Sequence, residues 1–361
     1  MNRTLMIMAG GTGGHIYPGL SVADYLRGQG WTIVWLGSRA GMEARIVPPT
    51  GCVMAWVRFS GLRGKGLLRA LLLPFNLLIA CAQSARAIFA HRPDVVLGMG
   101  GYVAFPGGLM AALMRRPLVI HEQNAVAGLT NRVLAKLADQ VLSAFPNSFK
   151  NNALGAWVGN PTRADISGIG APDVRYGERA SRDDRLNVLV LGGSLGAAVL
   201  NDTVPRALAL MPEAQRPQVI HQSGAAHIES LRAAYAAAGV QAETLPFIED
   251  MAARYAAADV VICRAGASTV TELAAAGVAS ILVPLPWAVD DHQTLNARFL
   301  SGRGAATLIP QTEFTPQRLA QLLQGLARGQ LLEMARAARG AAKPNAARDV
   351  GDICKALAHA A

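Results

Sequence analysis

Several loops of this 361-residue chain carry residue types that could hold a phosphate or move a proton. The first is Gly10–Gly14, which follows a short apolar strand, precedes a helix and runs into His15. Glycines allow the backbone to approach a ligand closely, and N–H groups at a helix N-terminus favour phosphate. His15 is then either a general base for a sugar hydroxyl or a structural hydrogen-bonding residue.

Dinucleotide binding is only weakly indicated by this loop. Ile16 stands where the GxGxxG fingerprint has its last glycine, and Gly-Ser-Arg, not an acid, directly follows the second predicted strand. Two more polar or glycine-rich loops end predicted strands, Gly98–Tyr102 and His121–Asn124. Ligands of open α/β sheets bind outside the carboxyl ends of the strands, so these loops are expected to face one crevice.

The second half of the chain offers its own phosphate and ribose residues. Gly192–Gly196 follows a strand and is a further candidate diphosphate loop, in which Ser194 could donate a hydrogen bond. Arg264–Glu272 follows the strand VVIC and runs into a helix. Glu272 could accept both hydroxyls of a ribose, or could simply favour the helix dipole.

Metal ligation and two other enzyme classes are disfavoured by the sequence. Asp290, Asp291 and His292 lack the DxD spacing after a strand, so we predict no metal site there. The chain has neither G-x-x-x-x-G-K-[ST] nor G-x-S-x-G, which disfavours P-loop NTPases and α/β-hydrolases.

Alternating apolar strands and helices must position these loops. Such alternation predicts an α/β fold with parallel sheets covered on both faces, and the pattern restarts near residue 160. A helix is predicted over Pro18–Gln29. Strands are predicted at Thr4–Met8, Thr32–Leu36, Asp94–Gly98, Pro117–His121, Leu186–Leu191, Gln218–His221, Val260–Cys263 and Ser280–Val283.

Charge is distributed unevenly along the chain. Residues 1–162 hold 15 of the 34 basic and five of the 24 acidic residues, so the whole excess of +10 lies in this half. This asymmetry suggests a polyanionic partner, either an anionic membrane or nucleic acid. Scattered arginines, with only Trp56 and Phe59 near the basic cluster, disfavour nucleic acid.

Leu67–Ala82 is the most apolar stretch, and it is predicted to be too short to span a bilayer. Basic residues flank or enter it, so residues 58–86 could dock on an anionic membrane, although a core helix with a basic rim is the alternative. These residues are Arg58, Arg63, Lys65, Arg69 and Arg86. The N-terminus lacks a signal-peptide-like apolar region, and the four cysteines lack disulfide or zinc spacing, so a reducing cytoplasm is predicted.

Nine motifs, in order along nearly the whole chain, resemble the MurG family of glycosyltransferases (glycosyltransferase family 28). They are GGTGGHIYP (10–18), SGLRGKG (60–66), PDVVLGMGGYVAFPGG (93–108), HEQNAVAGLTNR (121–132), GNPTR (159–163), GGSLGA (192–197), PFIEDM (246–251), CRAGASTVTELAAAG (263–277) and DHQTLNA (291–297).

The resemblance implies a GT-B fold, with two Rossmann-like domains whose parallel sheets face each other across a cleft. Residues 1–162 would form the acceptor and membrane-docking domain, residues 163–344 would bind the UDP-sugar, and a C-terminal helix over 345–361 would pack back on the first domain. The implied reaction is inverting transfer of N-acetylglucosamine from UDP-N-acetylglucosamine to the C4 hydroxyl of the N-acetylmuramoyl residue of lipid I, which gives lipid II for the cell wall. No cofactor is implied. The implied location is the cytoplasmic face of the cell membrane, with other cell-wall synthesis proteins as partners.

Site residues follow from the matching motifs. On the acceptor side the resemblance implies that His15, Tyr102 and Glu122 line the site. Our hypothesis for the catalytic residues is that His15 is the base, assisted or replaced by Glu122. It implies that Glu272 holds the ribose, that Ile248 and Arg163 contact the uracil end, and that Gln293 and Asn296 contact the sugar. The remaining implied donor contacts are Thr12, Gly13, Gly14, Asn124, Ser194, Ala267, Ser268, Thr269, Val270 and Thr271.

Two positions depart from the family pattern. Leu195 stands where a glutamine is common, which puts one diphosphate or acceptor contact in doubt. His292 stands where a second glutamine often precedes Gln293, which could change how sugar hydroxyls are bound.

Other functions fit parts of the same pattern. A GT-B enzyme with a different lipid acceptor and a UDP-sugar 2-epimerase are the enzymatic alternatives, although an epimerase has no need of the basic apolar segment. A nucleotide-sugar-binding scaffold in a membrane assembly is the non-enzymatic alternative.

Overall fold

The computed structural model of the protein describes residues 3–59, 72–149, 155–180, 185–193 and 196–360. The chain divides into two units. Unit 1 comprises Met1–Arg163 and Lys343–Ala361, and unit 2 comprises Ala164–Ala342. The motif SGLRGKG, the first part of the predicted membrane segment, Ser194 and Leu195 lie outside the described residues.

Seven parallel strands form the sheet of unit 1, in the order β3-β2-β1-β4-β5-β6-β7. Helices cover both faces of a parallel sheet, which is why these strands are continuous apolar runs such as TLMIM. Their bounds are β1 Thr4–Met8, β2 Thr32–Gly37, β3 Val53–Trp56, β4 Val95–Gly98, β5 Leu118–Glu122, β6 Gln140–Ser143 and β7 Ala156–Trp157.

Two apolar layers sandwich this sheet because successive side chains of a strand point to opposite faces. Leu5 and Ile7 belong to one cluster and Met6 and Met8 to the other. The helices in the described part of unit 1 are α1 Gly13–Arg27, α2 Glu43–Ile46, α3 Leu73–His91, α4 Ala104–Leu113, α5 Leu129–Leu134 and, at the end of the chain, Ala346–Ala360. Pro48–Thr50 is a 3₁₀ turn. The last helix packs on α1 and contributes Val350 and Cys354 to the first cluster.

Six parallel strands form the sheet of unit 2, in the order β10-β9-β8-β11-β12-β13. They are β8 Asn187–Leu191, β9 Gln218–Gln222, β10 Glu243–Leu245, β11 Val260–Cys263, β12 Ala279–Leu282 and β13 Ala306–Leu308. Each sheet starts at its centre and reverses its building direction after the third strand, as doubly wound nucleotide-binding folds do.

Nine helices are seen in the described part of unit 2. They are α6 Ala164–Ser167, α7 Pro172–Ala180, α8 Ala198–Ala209, α9 Ile228–Ala238, α10 Met251–Ala257, α11 Ala267–Ala276, α12 His292–Ser301, α13 Pro316–Gly325 and α14 Arg328–Gly340, and Ala346–Ala360 of unit 1 is then α15. Short 3₁₀ turns occupy Glu213–Gln215, Ala225–His227, Val289–Asp291 and Gln311–Glu313. The core contains Val190, Leu200, Ile262 and Leu319, all buried.

The predicted α/β fold with two parallel sheets is confirmed, whereas the one helix prediction needs correction. α1 begins at Gly13 and not at Pro18, so the glycine-rich loop runs directly into the first helical turn. α3 extends through His91, because helix-forming residues continue beyond Ala82 up to Arg92, which precedes a proline. By length and composition alone, this 19-residue helix is long and apolar enough to cross a membrane.

Candidate functional site

Two glycine-rich loops of unit 1 meet at the carboxyl ends of the neighbouring strands β1 and β4. Gly101 has a φ of +81°, and a Cβ atom there would lie 2.2 Å from the carbonyl oxygen of Gly10. Only glycine tolerates so close a backbone approach. The loops lie at the point where the strand order reverses, which is the usual ligand position in such sheets.

The start of α1 presents backbone donors at this edge. Thr12 is the exposed residue preceding the helix, and Gly13 and Gly14 are its first two residues. The first N–H groups of a helix have no acceptor within it, so they are available to an anion or a sugar oxygen.

His15 is half-buried in the first turn of α1 and lies against the β4 loop. A Cβ atom on Gly100, whose φ is +92°, would be only 3.2 Å from the imidazole Nδ1. That nitrogen lies 2.8 Å from Oε1 of Gln123. Within the described ranges, Nε2 has no hydrogen-bond partner. One ring nitrogen is therefore held in place, and the other is open to exchange a proton.

Glu122, at the end of β5, is 2% exposed, and both of its carboxylate oxygens are occupied. Oε1 accepts from the backbone N–H of Asn124 at 2.9 Å and from its side-chain amide at 3.3 Å. Oε2 accepts from the N–H of Gly128 at 3.1 Å and from Nδ2 of Asn131 at 2.8 Å. This arrangement favours a residue that organises the loop over one that removes a proton from substrate.

Glu43 is a buried acid that the sequence analysis does not single out. Its carboxylate accepts from the backbone N–H groups of Gly11 at 3.1 Å and Ser38 at 2.9 Å, so it ties the first glycine-rich loop to the end of β2. Burial and the charge of Glu43 raise the pKa of Tyr102, while a side-chain hydrogen bond with Ser38 acts in the opposite direction. Tyr102 thus remains a neutral hydroxyl at this sheet edge.

Unit 2 contains a cavity of about 530 Å³. It opens at the N-termini of two helices, α8 and α11, where unpaired N–H groups suit a phosphate. Its described lining residues are Gly192, Gly193, Gly196, Ala197, Ala198, Val199, Arg264, Gly266, Thr269, Leu285, Trp287, Gln293 and Gln311.

Arg264 supplies the one charge among those lining residues. Its guanidinium donates to the carbonyl of Val283 at 3.1 Å and to Oε1 of Gln311 at 2.7 Å. Partial burial lowers the pKa of Arg264, which still carries its positive charge at neutral pH. A fixed cation beside two helix N-termini makes the cavity suited to a diphosphate.

Gln293 and Asn296, both predicted sugar contacts, have different environments. Gln293 lines the cavity, and its Oε1 accepts from the N–H groups of Ala265 at 3.3 Å and Leu285 at 3.0 Å. Its amide nitrogen is consequently the group that can point to a ligand. Asn296 has no exposed surface and donates to the carbonyl of Ala265 at 3.2 Å, which favours support of the loop over sugar contact.

The predicted donor residues on α11 divide between cavity and core. Thr269 lines the cavity, whereas Val270 is fully buried. The Thr271 hydroxyl donates to the carbonyls of Ala267 and Ser268, both at 3.0 Å, so it bonds to the backbone of its own helix.

The predicted ribose and uracil contacts lie outside the described cavity lining. Glu272 accepts a hydrogen bond from the hydroxyl of Tyr255 at 3.1 Å and remains half-exposed. Ile248 is 3% exposed, so only its backbone could meet a base. Arg163 is half-buried and is the last residue of unit 1 before α6.

Of the two departures from the family pattern, only His292 lies within the described residues. Its Nδ1 donates to the carbonyl of Val289 at 2.7 Å, and it is absent from the described cavity lining. The imidazole therefore braces its own turn. Ser194 and Leu195, by contrast, lie outside the described part of the chain.

Sequence reasoning missed four residues that the structure places at these two sheet edges. They are Glu43, Gln123, Arg264 and Trp287. Gln123 and Arg264 lie inside the quoted motifs, and this position in the sequence could have identified them as site residues. Trp287 is 73% exposed and lines the cavity. It follows the apolar run ILVPLP, so the sequence does not indicate that its side chain is exposed. The described residues hold no cluster of three metal-ligating side chains.

The outer face of α3 is apolar and open to solvent. Phe75, Leu78 and Phe89 are 63%, 68% and 69% exposed, and Arg86 is exposed on the same helix. Only 17% of the helix's most apolar window is buried, so the alternative of a core helix is not supported.

Comparison with known proteins gives two matches to one family. The N-terminal domain of glycosyltransferase family 28 matches residues 5–143, and its C-terminal domain matches residues 187–350. A protein of Cupriavidus metallidurans is 62% identical over 99% of this chain and 98% of its own length. It is named UDP-N-acetylglucosamine--N-acetylmuramyl-(pentapeptide) pyrophosphoryl-undecaprenol N-acetylglucosamine transferase. An Aromatoleum aromaticum protein with the same name is also 62% identical, with the same coverage.

Solved structures agree with these matches. The crystal structure of Acinetobacter baumannii MurG is similar with a TM-score of 0.84 and 45% identity, over 98% of this chain and 99% of that one. A putative UDP-N-acetylglucosamine 2-epimerase of Listeria monocytogenes has a TM-score of 0.64 at 14% identity, over 97% of this chain and 95% of its own, which indicates a shared fold alone.

Proposed function

The chain belongs to glycosyltransferase family 28, and from that premise we propose how its two sites carry out the family's reaction. The protein is an N-acetylglucosaminyltransferase that uses UDP-N-acetylglucosamine and forms lipid II from lipid I in peptidoglycan synthesis. The observation that carries the proposal is the cavity at the N-termini of α8 and α11, with Arg264 in its wall. Such a cavity suits the diphosphate of a nucleotide sugar.

In this proposal unit 2 holds the donor. The diphosphate lies against Gly192–Gly193 and the N–H groups at the start of α8 and α11. The amide nitrogen of Gln293 donates to a sugar hydroxyl, because its oxygen is already bound by backbone. Glu272 accepts from the ribose hydroxyls, and the backbone at Ile248 meets the uracil, with Arg163 at the same end.

Unit 1 supplies the acceptor side and the base. The C4 hydroxyl of the muramoyl sugar donates to Nε2 of His15, which takes its proton as the oxygen attacks C1 of the donor sugar. The bond from C1 to the diphosphate oxygen breaks, and UDP leaves with the electron pair, so the configuration at C1 inverts. The helix N-termini and Arg264 stabilise the charge on UDP without a metal ion. Glu122 and Asn124 hold the loop beside His15.

We also propose that the protein docks on the cytoplasmic face of the membrane through α3. Its apolar side chains Phe75, Leu78 and Phe89 are exposed, and Arg86 adds a positive charge. Apolar side chains that insert between lipids and basic ones that meet anionic headgroups are the two signals of an interfacial anchor. The lipid-linked acceptor makes such docking useful.

The test is UDP release from UDP-N-acetylglucosamine with and without a lipid I analogue, in the presence of EDTA. We expect release that depends on the analogue, a disaccharide product and no loss with EDTA. Epimerised donor, or bound donor without transfer, would overturn the proposal in favour of an epimerase or a scaffold.

For the membrane proposal, Phe75→Ser with Leu78→Ser should abolish sedimentation with anionic vesicles while activity on a soluble acceptor analogue persists, and unchanged sedimentation would refute it.

A further inference from the structure

We propose that Gln123 is a positioning residue that fixes the tautomer of His15 needed for proton transfer. The inference rests on the proposed function, because a base is needed only if His15 faces an acceptor hydroxyl. It concerns a residue that touches no reacting atom and acts only through the imidazole.

The orientation of the Gln123 side chain is set by a group that can only accept. Its Nε2 lies 3.1 Å from the carbonyl oxygen of His121 and 3.0 Å from Nδ1 of the same residue. An amide oxygen could not face that carbonyl, so the nitrogen must, and Oε1 then points to His15. Because Oε1 is an acceptor, Nδ1 of His15 must carry the proton across the 2.8 Å contact.

The far end of the chain of hydrogen bonds leads independently to the same assignment. Nε2 of His121 lies 2.9 Å from the carbonyl oxygen of Gly159, which again only accepts, so this nitrogen is the protonated one. Nδ1 of His121 is then the acceptor for the Gln123 amide. Full burial lowers the pKa of His121 to about 4, so the ring is neutral at physiological pH, as this pattern requires.

The carbonyl oxygens of His121 and Gly159 therefore impose one direction on every proton along the chain of hydrogen bonds to His15. The result at His15 is a neutral ring with hydrogen on Nδ1 and a lone pair on Nε2. That lone pair is what a hydroxyl needs as its proton acceptor. With the other tautomer, Nε2–H would face the hydroxyl as a donor and no proton could be taken.

Burial makes this arrangement rigid. Gln123 is 1% exposed and His121 is fully buried, so water does not compete for their hydrogen bonds. A Cβ atom on Gly100 would lie 3.2 Å from Nδ1 and Cε1 of His15, so the loop backbone lies close to the ring and limits its rotation.

Two near-isosteric variants separate the proposal from a packing role. Gln123→Met fills the space but neither accepts from His15 nor donates to His121. Gln123→Glu keeps an acceptor for Nδ1–H of His15, and its protonated carboxyl group can still donate to His121. Gln140→Met, on an exposed glutamine at the start of β6, is the matched control.

The first readout is the ¹⁵N spectrum of the full protein labelled at its seven histidines, in which His15→Ala identifies the His15 signals. We expect the wild-type ring to be protonated at Nδ1, to lose this preference in Gln123→Met, and to keep it in Gln123→Glu and Gln140→Met. A wild-type ring protonated at Nε2, or an unchanged Nδ1–H preference in Gln123→Met, would overturn the proposal.

The second readout is transfer to the lipid I analogue. Gln123→Met should lower kcat about 10- to 100-fold with little change in KM for the donor, which is less than the ~10²–10⁴-fold that a general base contributes. Gln123→Glu should recover most of kcat while its carboxyl group is protonated, because the O–H then donates to His121 and the carbonyl oxygen accepts from Nδ1–H of His15. Equal losses in both variants would overturn the positioning role. If His15→Ala keeps normal turnover, the base assignment fails, whereas the spectrum still decides the tautomer.

Discussion

The substitution Glu122→Gln tests whether Glu122 organises its loop or acts as a catalytic base. The carboxylate receives four hydrogen bonds from Asn124, Gly128 and Asn131 while only 2% of the residue is exposed. A glutamine keeps one oxygen for one pair of donors and turns an NH₂ group toward the other pair. At about 1–3 kcal/mol for each of the two donors left without an acceptor, unit 1 should lose about 2–6 kcal/mol of unfolding free energy.

The assay is urea unfolding followed by tryptophan fluorescence. Four of the five tryptophans, Trp31, Trp35, Trp56 and Trp157, belong to unit 1, so a Trp287→Phe background makes the signal specific to that unit. With an m-value of about 2 kcal/mol/M, the midpoint should fall by about 1–3 M.

Asp24→Asn is the matched control because it removes one negative charge from an exposed pair with Arg27. Its unfolding free energy should change by less than about 0.5 kcal/mol. The reasoning fails if Glu122→Gln leaves the midpoint in place while kcat falls by ~10²-fold or more, since that combination is what a catalytic base would give.

Three further predictions concern pH, loop packing and the donor cavity. Burial lowers the pKa of His121 to about 4 and that of His221 to about 3, from 6.5. Below pH 6.5 the unfolded chain therefore binds more protons than the folded one, so the stabilisation from each neutral buried histidine is fully present only above that pH. In urea titrations the free energy of unfolding should fall by about 2 kcal/mol per histidine between pH 7 and pH 5. Equal midpoints at both pH values would contradict this. Gly101→Ala would put a methyl group 2.2 Å from the carbonyl oxygen of Gly10. We expect the free energy of unfolding to fall by at least ~2 kcal/mol, as measured by thermal unfolding. Unchanged stability would refute the close approach. Trp287→Ala removes an exposed cavity wall and should raise KM for UDP-N-acetylglucosamine about 10-fold without affecting binding of the lipid analogue, so an unaltered KM would remove Trp287 from the donor site.

The sequence determined the sheets and the loops at their edges. Apolar runs such as Thr4–Met8 and Val260–Cys263 match the observed strands at both ends, because burial on both faces needs continuous apolar residues. Glycines that follow a strand mark a close backbone approach, and Gly10–Gly14 and Gly98–Gly101 meet at adjacent strand ends. These signals are local, so they can be read without knowing which distant residues pack together.

Helix limits were predicted less well. Pro18 suggested a helix start, yet a proline fits inside α1 because only the carbonyl of Gly14, at the loop, lacks its donor.

Only the tertiary structure decided what the polar residues do. His15 and Gln123 are 108 positions apart, and Glu43 reaches Gly11 across 32, so no local pattern connects them. The motifs placed Glu122 and Asn296 at the sites, whereas their burial and their hydrogen bonds favour a role in supporting the loops. A side chain's role depends on which donors and acceptors surround it, and strand order, register and packing bring those groups together from distant parts of the chain.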